Sequence, residues 1–315
     1  MSSYSTDNVN IMVPLEITAA KITSSTISPE DPNPAWSSGS TYAKGNQVFS
    51  ASTHRVYESL KDSNTDHDPT VDANRFDATG APTWWFEVGP TNKFAMFDGL
   101  VSTQSSGGSP LTVVLKPGAF NGFAMFGIDG DHLHVTVKDA PGGTVIYDYN
   151  EDLEGSAPPD YYEYFFDPFR PQTKFVATGI PPYSNSEITF TITKGSGNAK
   201  IGMFACGDLR PIGAPLRGAS VEPQDFSYIQ TNDFGITTVK KRWNATGMNI
   251  SAKMPVEDAN LVLDVVTDLL GTPCVVIGSE KVNYEGMTVF GLISGRMGYD
   301  EYGENTLNLT VRGLV

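Results

Sequence analysis

The side chains best suited to chemistry in this sequence are aromatic, and they crowd into one short stretch. Trp36, Tyr42, Tyr57, Trp84 and Trp85 lie within residues 36–90 together with His67, and three of the four tryptophans of the chain fall there. Rings spaced among glycines, prolines and small polar residues can do one of two things. They can lie open and stack on flat ligands such as sugars, or they can pack on one another as the core of a small sheet. The two readings demand opposite exposures, and both stay open at the level of sequence.

Other candidate chemistry is thinner. His132 and His134 alternate on one predicted strand and so share a face, with Asp129 and Asp131 close by. A metal site needs three or four converging ligands, and one strand supplies two. Surface polar residues are therefore the expectation, with no metal and no other cofactor. Glycosidases need two carboxylates a fixed distance apart across a cleft. From Asp129 to Asp167 ten carboxylates accompany a single Lys138, which is abundance and not a constellation. A solvated acidic face, a calcium site and a docking surface for a basic partner are the readings of that run. The ring cluster Tyr161-Tyr162-Glu163-Tyr164-Phe165-Phe166-Asp167-Pro168-Phe169 fits a core strand, a subunit contact or a sugar-stacking surface. No nucleophile elbow, phosphate-cradling glycine loop or zinc-protease helix occurs. The expectation is a protein that is not an enzyme.

Composition narrows the partners. With 315 residues the chain can hold two or three domains with real cores. The 31 glycines and 21 prolines, with only 18% charged residues, favour short strands and turns over helices. A formal charge of −15 argues against nucleic acid, because phosphate neutralisation needs clustered Lys and Arg. The two cysteines, Cys206 and Cys274, are too few for a disulfide framework, so assembly in a reducing cytosol is expected. The opening residues lack the basic and apolar regions of a secretion signal, and no apolar run reaches the roughly 20 residues of a membrane helix. No membrane insertion is expected.

The elements that must position these residues read as mostly β. Residues 1–33 alternate through Ile11, Val13, Leu15 and Ile17 and stop at the prolines 29, 32 and 34. They predict an N-terminal extended arm, which either completes a neighbour's sheet or forms a strand in its own chain. Residues 34–90 predict a small three-stranded aromatic module. From 91 to 210 short alternating strands, such as Leu111–Leu115, Leu133–Val137 and Glu187–Thr193, are separated by glycine and proline turns and predict a β-sandwich or jelly roll. Residues 211–315 predict a separate α+β oligomerisation unit, a sheet or small barrel with one helix from Pro255 to Leu270. Pro255 suits the first helical turn, Gly271 the stop, and Leu261, Val262, Val265, Val266, Leu269 and Leu270 form an apolar stripe.

The order Trp36, Tyr42, Gly45, Val48, Tyr57, Pro69, Trp85 resembles carbohydrate-binding module family 5/12, over about a sixth of the chain. The sugar-stacking Trp that the family usually carries just before its late proline is replaced here by Asp66-His67-Asp68-Pro69. The resemblance implies glycan contact through Tyr42, Tyr57, His67, Trp84 and Trp85. The wider run is similar to a family of structural proteins of tailed bacteriophages. It takes in Val13-Pro14-Leu15-Glu16-Ile17-Thr18, Ser24-Ser25-Thr26-Ile27, the module, and Gly89-Pro90-Thr91-Asn92-Lys93-Phe94-Ala95-Met96-Phe97-Asp98, strongest from Val13 to Asp98. That likeness implies a virion component at the distal tail, in the tip or baseplate, assembled in the host cytoplasm. Its implied partners are copies of itself, other tail proteins and a host surface glycan. A receptor-binding protein that grips surface polysaccharide through the module is the alternative expectation.

Overall fold

The computed structural model describes residues 8–153, 171–231, 233–242, 244–281, 284–299 and 303–314. The ring cluster at 161–169 and the acidic residues from Glu154 to Asp167 lie outside them. About half of the chain is strand, so the mostly β expectation holds. β1 (Val9–Pro14) and β2 (Ile22–Ser25) come first. The aromatic module follows with β3 (Thr41–Tyr42), β4 (Gln47–Ser50), β5 (Arg55–Ser59), β6 (Asn64–Thr65), the short helix α1 (Asp72–Arg75) and β7 (Trp85–Pro90). The middle of the chain gives β8 (Ser105–Gly107), β9 (Leu111–Leu115), β10 (Gly122–Phe126), β11 (His132–Lys138), β12 (Val145–Asp152), β13 (Lys174–Ala177), β14 (Glu187–Thr193), β15 (Ala199–Ile201) and β16 (Met203–Pro215). The remainder gives β17 (Ser220–Asp225), β18 (Tyr228–Thr231), β19 (Thr237–Lys240), β20 (Asn244–Pro255), helix α2 (Ala259–Asp268), β21 (Cys274–Ile277), β22 (Thr288–Tyr299) and β23 (Glu304–Gly313).

A five-stranded sheet, β12-β11-β14-β9-β2, covers one side of β13, β10 and the start of β16. The strict alternation of β14 explains this face. Ile188, Phe190 and Ile192 are fully buried, while Thr189, Thr191 and Thr193 turn outward. At the centre Phe204 stacks on Phe190 at 5.2 Å and on Phe123 at 6.1 Å. Of the strands opposite, β10 and the start of β16 show no alternation in sequence, because both of their faces are buried. Phe123 and Met125 of β10 enter the sandwich, whereas Ala124 and Phe126 pack on the far side against Met12, Val275 and Phe290.

β16 then leaves the sandwich. From Met203 to Gly207 it pairs with β10, and from Gly207 to Gly213 with β1. At Ala214 and Pro215 it meets β20. The order β16-β1-β21-β22-β23-β20 thus returns to β16, closing six antiparallel strands into a barrel. Val9, Ile11, Ile212, Ile250, Val276 and Leu309 share its core with Val262, Val265 and Val266 of α2 and with Leu269 at its C-terminal cap. The helix follows a 3-10 turn at Val256–Asp258 and stops before Gly271, whose φ of 79° is left-handed. Leu261 and Leu270, expected in its apolar stripe, are exposed.

Two expected boundaries change. β1 is no arm reaching for a neighbour: it lies in the middle of its own chain's sheet, between β16 and β21. The barrel is not a separate unit beginning at 211 either, since β16 runs through that point and β1 supplies one of the six strands. Pro211 reads as a break in sequence, yet it sits inside β16 opposite Asn10. Pairing with β10 ends at Gly207 and pairing with β20 begins at Ala214, so one side of β16 is unpaired between them and a residue without an N–H is tolerated. Truncating Phe204 to Ala removes the central ring of the sandwich and is expected to cost about 3–5 kcal/mol. Denaturant unfolding of the variant, followed by far-UV circular dichroism, checks this. Because β16 serves both cores, a single transition should carry sandwich and barrel together.

Candidate functional site

The module is built as its aromatic spacing requires. β4, β5 and β7 form a three-stranded antiparallel sheet, and β3 pairs with β6 beside it. Tyr42, Val48, Tyr57 and Trp85 form the core, with Trp36 and Trp84 packed against it. Trp85 and Tyr57 are each 1% exposed. Their polar tips are satisfied inside: Trp85 Nε1 donates to the His67 carbonyl at 2.6 Å, and the Tyr57 hydroxyl lies 3.0 Å from Thr53 Oγ1. Tyr42 Oη accepts from the Ser37 N–H at 2.8 Å, and its ring meets Trp85 edge-on at 5.4 Å. Tyr42, Tyr57 and Trp85, expected at a sugar, are therefore the structural core of the module. A unit of this size without disulfides has little other apolar mass to bury.

His67 and Trp84 do reach the surface, half-buried, but they occupy each other. Their rings stack at 3.8 Å with 17° between planes, and Lys61 Nζ stands 4.5 Å from the Trp84 centroid. His67 is held in turn by Asn64 Oδ1, 3.0 Å from its Nδ1. The five expected residues thus form one contiguous cluster, with three buried and two stacked. The residue that the sequence reading missed is Phe86. It follows buried Trp85 on β7, so the period of two turns it to the outer face of the sheet, where it is 51% exposed. Directly across the ladder stands Glu58, which accepts from Gln47 Nε2 at 3.1 Å. An exposed ring beside a bonded amide–carboxylate pair can stack on a flat ligand and hydrogen-bond its hydroxyls.

The module is joined to the sandwich by side chains and has no free linker. His54 stacks on Phe94 at 3.8 Å and pairs with Glu30 at 2.9 Å, and Thr91 Oγ1 donates to the same carboxylate at 2.9 Å. The Asn92 N–H donates to Asp31 at 2.9 Å, while the Asn92 amide and the Ser106 backbone exchange two bonds of 2.8 Å. A cleft of about 700 Å³ lies along this junction, lined among others by Gln47, Val88, Asn92 and Gln104.

His132 and His134 share the outer face of the sandwich as expected, but each is bonded across to β12. His132 Nδ1 lies 2.7 Å from Asp152 and its Nε2 2.9 Å from Asn150; His134 Nε2 lies 3.0 Å from Asp148. Among the described residues no three His, Cys, Asp or Glu side chains converge as metal ligands. Burial pushes the thiols of Cys206 and Cys274 up to about 12, which leaves them unreactive near neutrality. No helix among the described residues is long and apolar enough to cross a membrane.

No protein-family model and no curated protein matches the chain. Among solved structures, one titled CpGH89CBM32-6 produced by Clostridium perfringens is similar over 36% of this chain and 81% of its own, at 13% identity and a TM-score of 0.23. A likeness that low carries no argument.

Two expectations follow. Trp85→Ala should cost about 3–5 kcal/mol and unfold the module, whereas Trp84→Ala should cost far less; tryptophan fluorescence during urea unfolding separates them. The hydrogen bond to Asp152, with that to Asn150, holds the His132 imidazole above its ordinary range. A raised folded pKa contributes stability that is present below the unfolded value of about 6.5 and lost as pH rises through the folded one. NMR titration should show His132 moving back down in Asp152→Asn.

Proposed function

We propose that this chain is a non-enzymatic structural subunit of a tailed-phage virion, built into the distal tail as a homo-oligomer and joined there to other tail proteins. The sequence similarity of residues 13–98 to phage structural proteins suggests the setting. The observation that carries a building-block role is the hairpin β18–β19. It continues the β17–β20 pair outward as a two-stranded sheet of its own. Every described residue from Tyr228 to Arg242 is exposed. Ile229 and Val239 face each other across it at 63% and 62% exposure, and Tyr228 follows at 47%.

A lone two-stranded hairpin is marginal in water, and one that presents its apolar side chains on the surface is made for a contact. Covering Ile229 and Val239 would contribute about 1.5–3 kcal/mol each. Repeated around an oligomer, such contacts hold an assembly together without any catalytic site. The hairpin foot adds Lys240, Lys241 and Arg242, a basic group in a chain of −15 formal charge, so the acidic surface of another copy suits it.

A second reading has its own support in the exposed Phe86 beside Glu58 and Gln47. Under it the module contacts surface polysaccharide through that face, and not through the stacked His67–Trp84 pair. Light scattering of the purified protein should give a multiple of the chain mass, falling towards one copy in Ile229→Lys/Val239→Lys. A wild-type monomer at tens of micromolar, together with absence of the chain from purified particles, sinks the structural reading. On a glycan array, binding that vanishes in Phe86→Ala but survives in Trp84→Ala supports the second.

A further inference from the structure

Where the sandwich meets the barrel, the surface opens into a cavity of about 460 Å³, within the size range of small-molecule sites. Phe126, Phe290 and Leu314 give it an apolar side, and Gln104, Asn244 and Lys174 a polar one. Lys174 belongs to β13 and stands opposite Phe126 in the ladder. Its Nζ makes one long hydrogen bond, 3.4 Å to the Thr288 carbonyl, and has no carboxylate partner among the described residues. The carboxylate that also lines the cavity, Asp129, is neutralised by Lys194 at 2.6 Å.

Among the described residues no carboxylate pairs with this half-buried ammonium. Burial pushes it below the ordinary lysine range. An unpaired charge in such a place is costly, and an arriving anion removes the cost. The rest of the lining selects the anion. One ammonium beside a compensated carboxylate suits a single negative charge. A phosphate dianion would want an arginine or a second cation, and among the described residues neither lines the cavity. The apolar side asks for a hydrophobic body behind the charge.

We propose that this cavity binds a small organic carboxylate, its anion paired with Lys174 and its apolar body laid against Phe126 and Phe290. The same chemistry could arrive as a free acid or as the acidic side chain of a partner segment. Benzoate is the probe for the first and a capped Phe-Glu-Phe peptide for the second.

Calorimetry on the full chain should show benzoate binding about tenfold or more tighter than neutral benzamide, the size of one charge-assisted bond. Lys174→Met should abolish that preference and Lys174→Arg keep it. In the wild type, NMR of labelled lysine amines should show the Lys174 pKa rising as benzoate saturates. Saturable binding of the peptide much tighter than benzoate supports the carboxylate site and assigns its source to a partner. Equal affinity for benzoate and benzamide, tighter binding of inorganic phosphate, or a Lys174 pKa unmoved by benzoate overturns the proposal. The last readout needs no variant, so it decides even if Lys174→Met fails to fold.

Discussion

One long strand holds this molecule together. β16 hydrogen-bonds in turn to β10, β1 and β20, and so belongs to the sandwich at one end and to the barrel at the other. Its side chains follow the same division. Phe204 and Cys206 enter the sandwich, Met203 and Ala205 the apolar layer behind it, and Ile212 the barrel. The backbone has to be slim where it changes partner. A side chain at Gly207 would overlap the Val13 carbonyl, and one at Gly213, where φ is 137°, would overlap that of Lys253. Neither core can rearrange without disturbing the ladder of the other.

On that rigid body the module is mounted by polar contacts and one ring stack, and its own rings are turned inward. The apolar surfaces that stay exposed are consequently different from those that aromatic content alone suggests. They are the projecting hairpin, with its apolar pair and basic foot, and the outer face of the module around Phe86. The cavity behind Lys174 lies where the two cores abut, with Asn244 at the start of β20 in its lining.

Some of this was legible in the residues. The alternation of Glu187–Thr193 specifies a strand and names its buried face, because a sheet covered on one side has a period of two. The helix near Pro255 announces itself by a proline start, a glycine stop and an apolar stripe. β10 and the first half of β16 leave no such trace. Gly122-Phe-Ala-Met-Phe126 and Met203-Phe-Ala-Cys-Gly207 are buried on both faces, so hydrophobicity does not alternate and no period is left to read. For the module the sequence brought the right rings together, but period and spacing cannot say which side of a ring meets water. Phe86 was hidden in the shadow of the adjacent Trp84–Trp85 pair.

By itself, the order of amino acids determined that the chain is mostly β, that an aromatic sheet precedes a sandwich, and that a single helix lies near the end. Those properties rest on local periodicity, turn chemistry and capping, which act between residues close in sequence. Tertiary structure alone decided that β1 joins β16 and β21 from the far end of the chain, and that six strands close into a barrel through Pro215. It also decided that Lys174 stands beside Phe126, with no carboxylate partner among the described residues. Each of these depends on residues brought together across long stretches of chain, where no local pattern reaches.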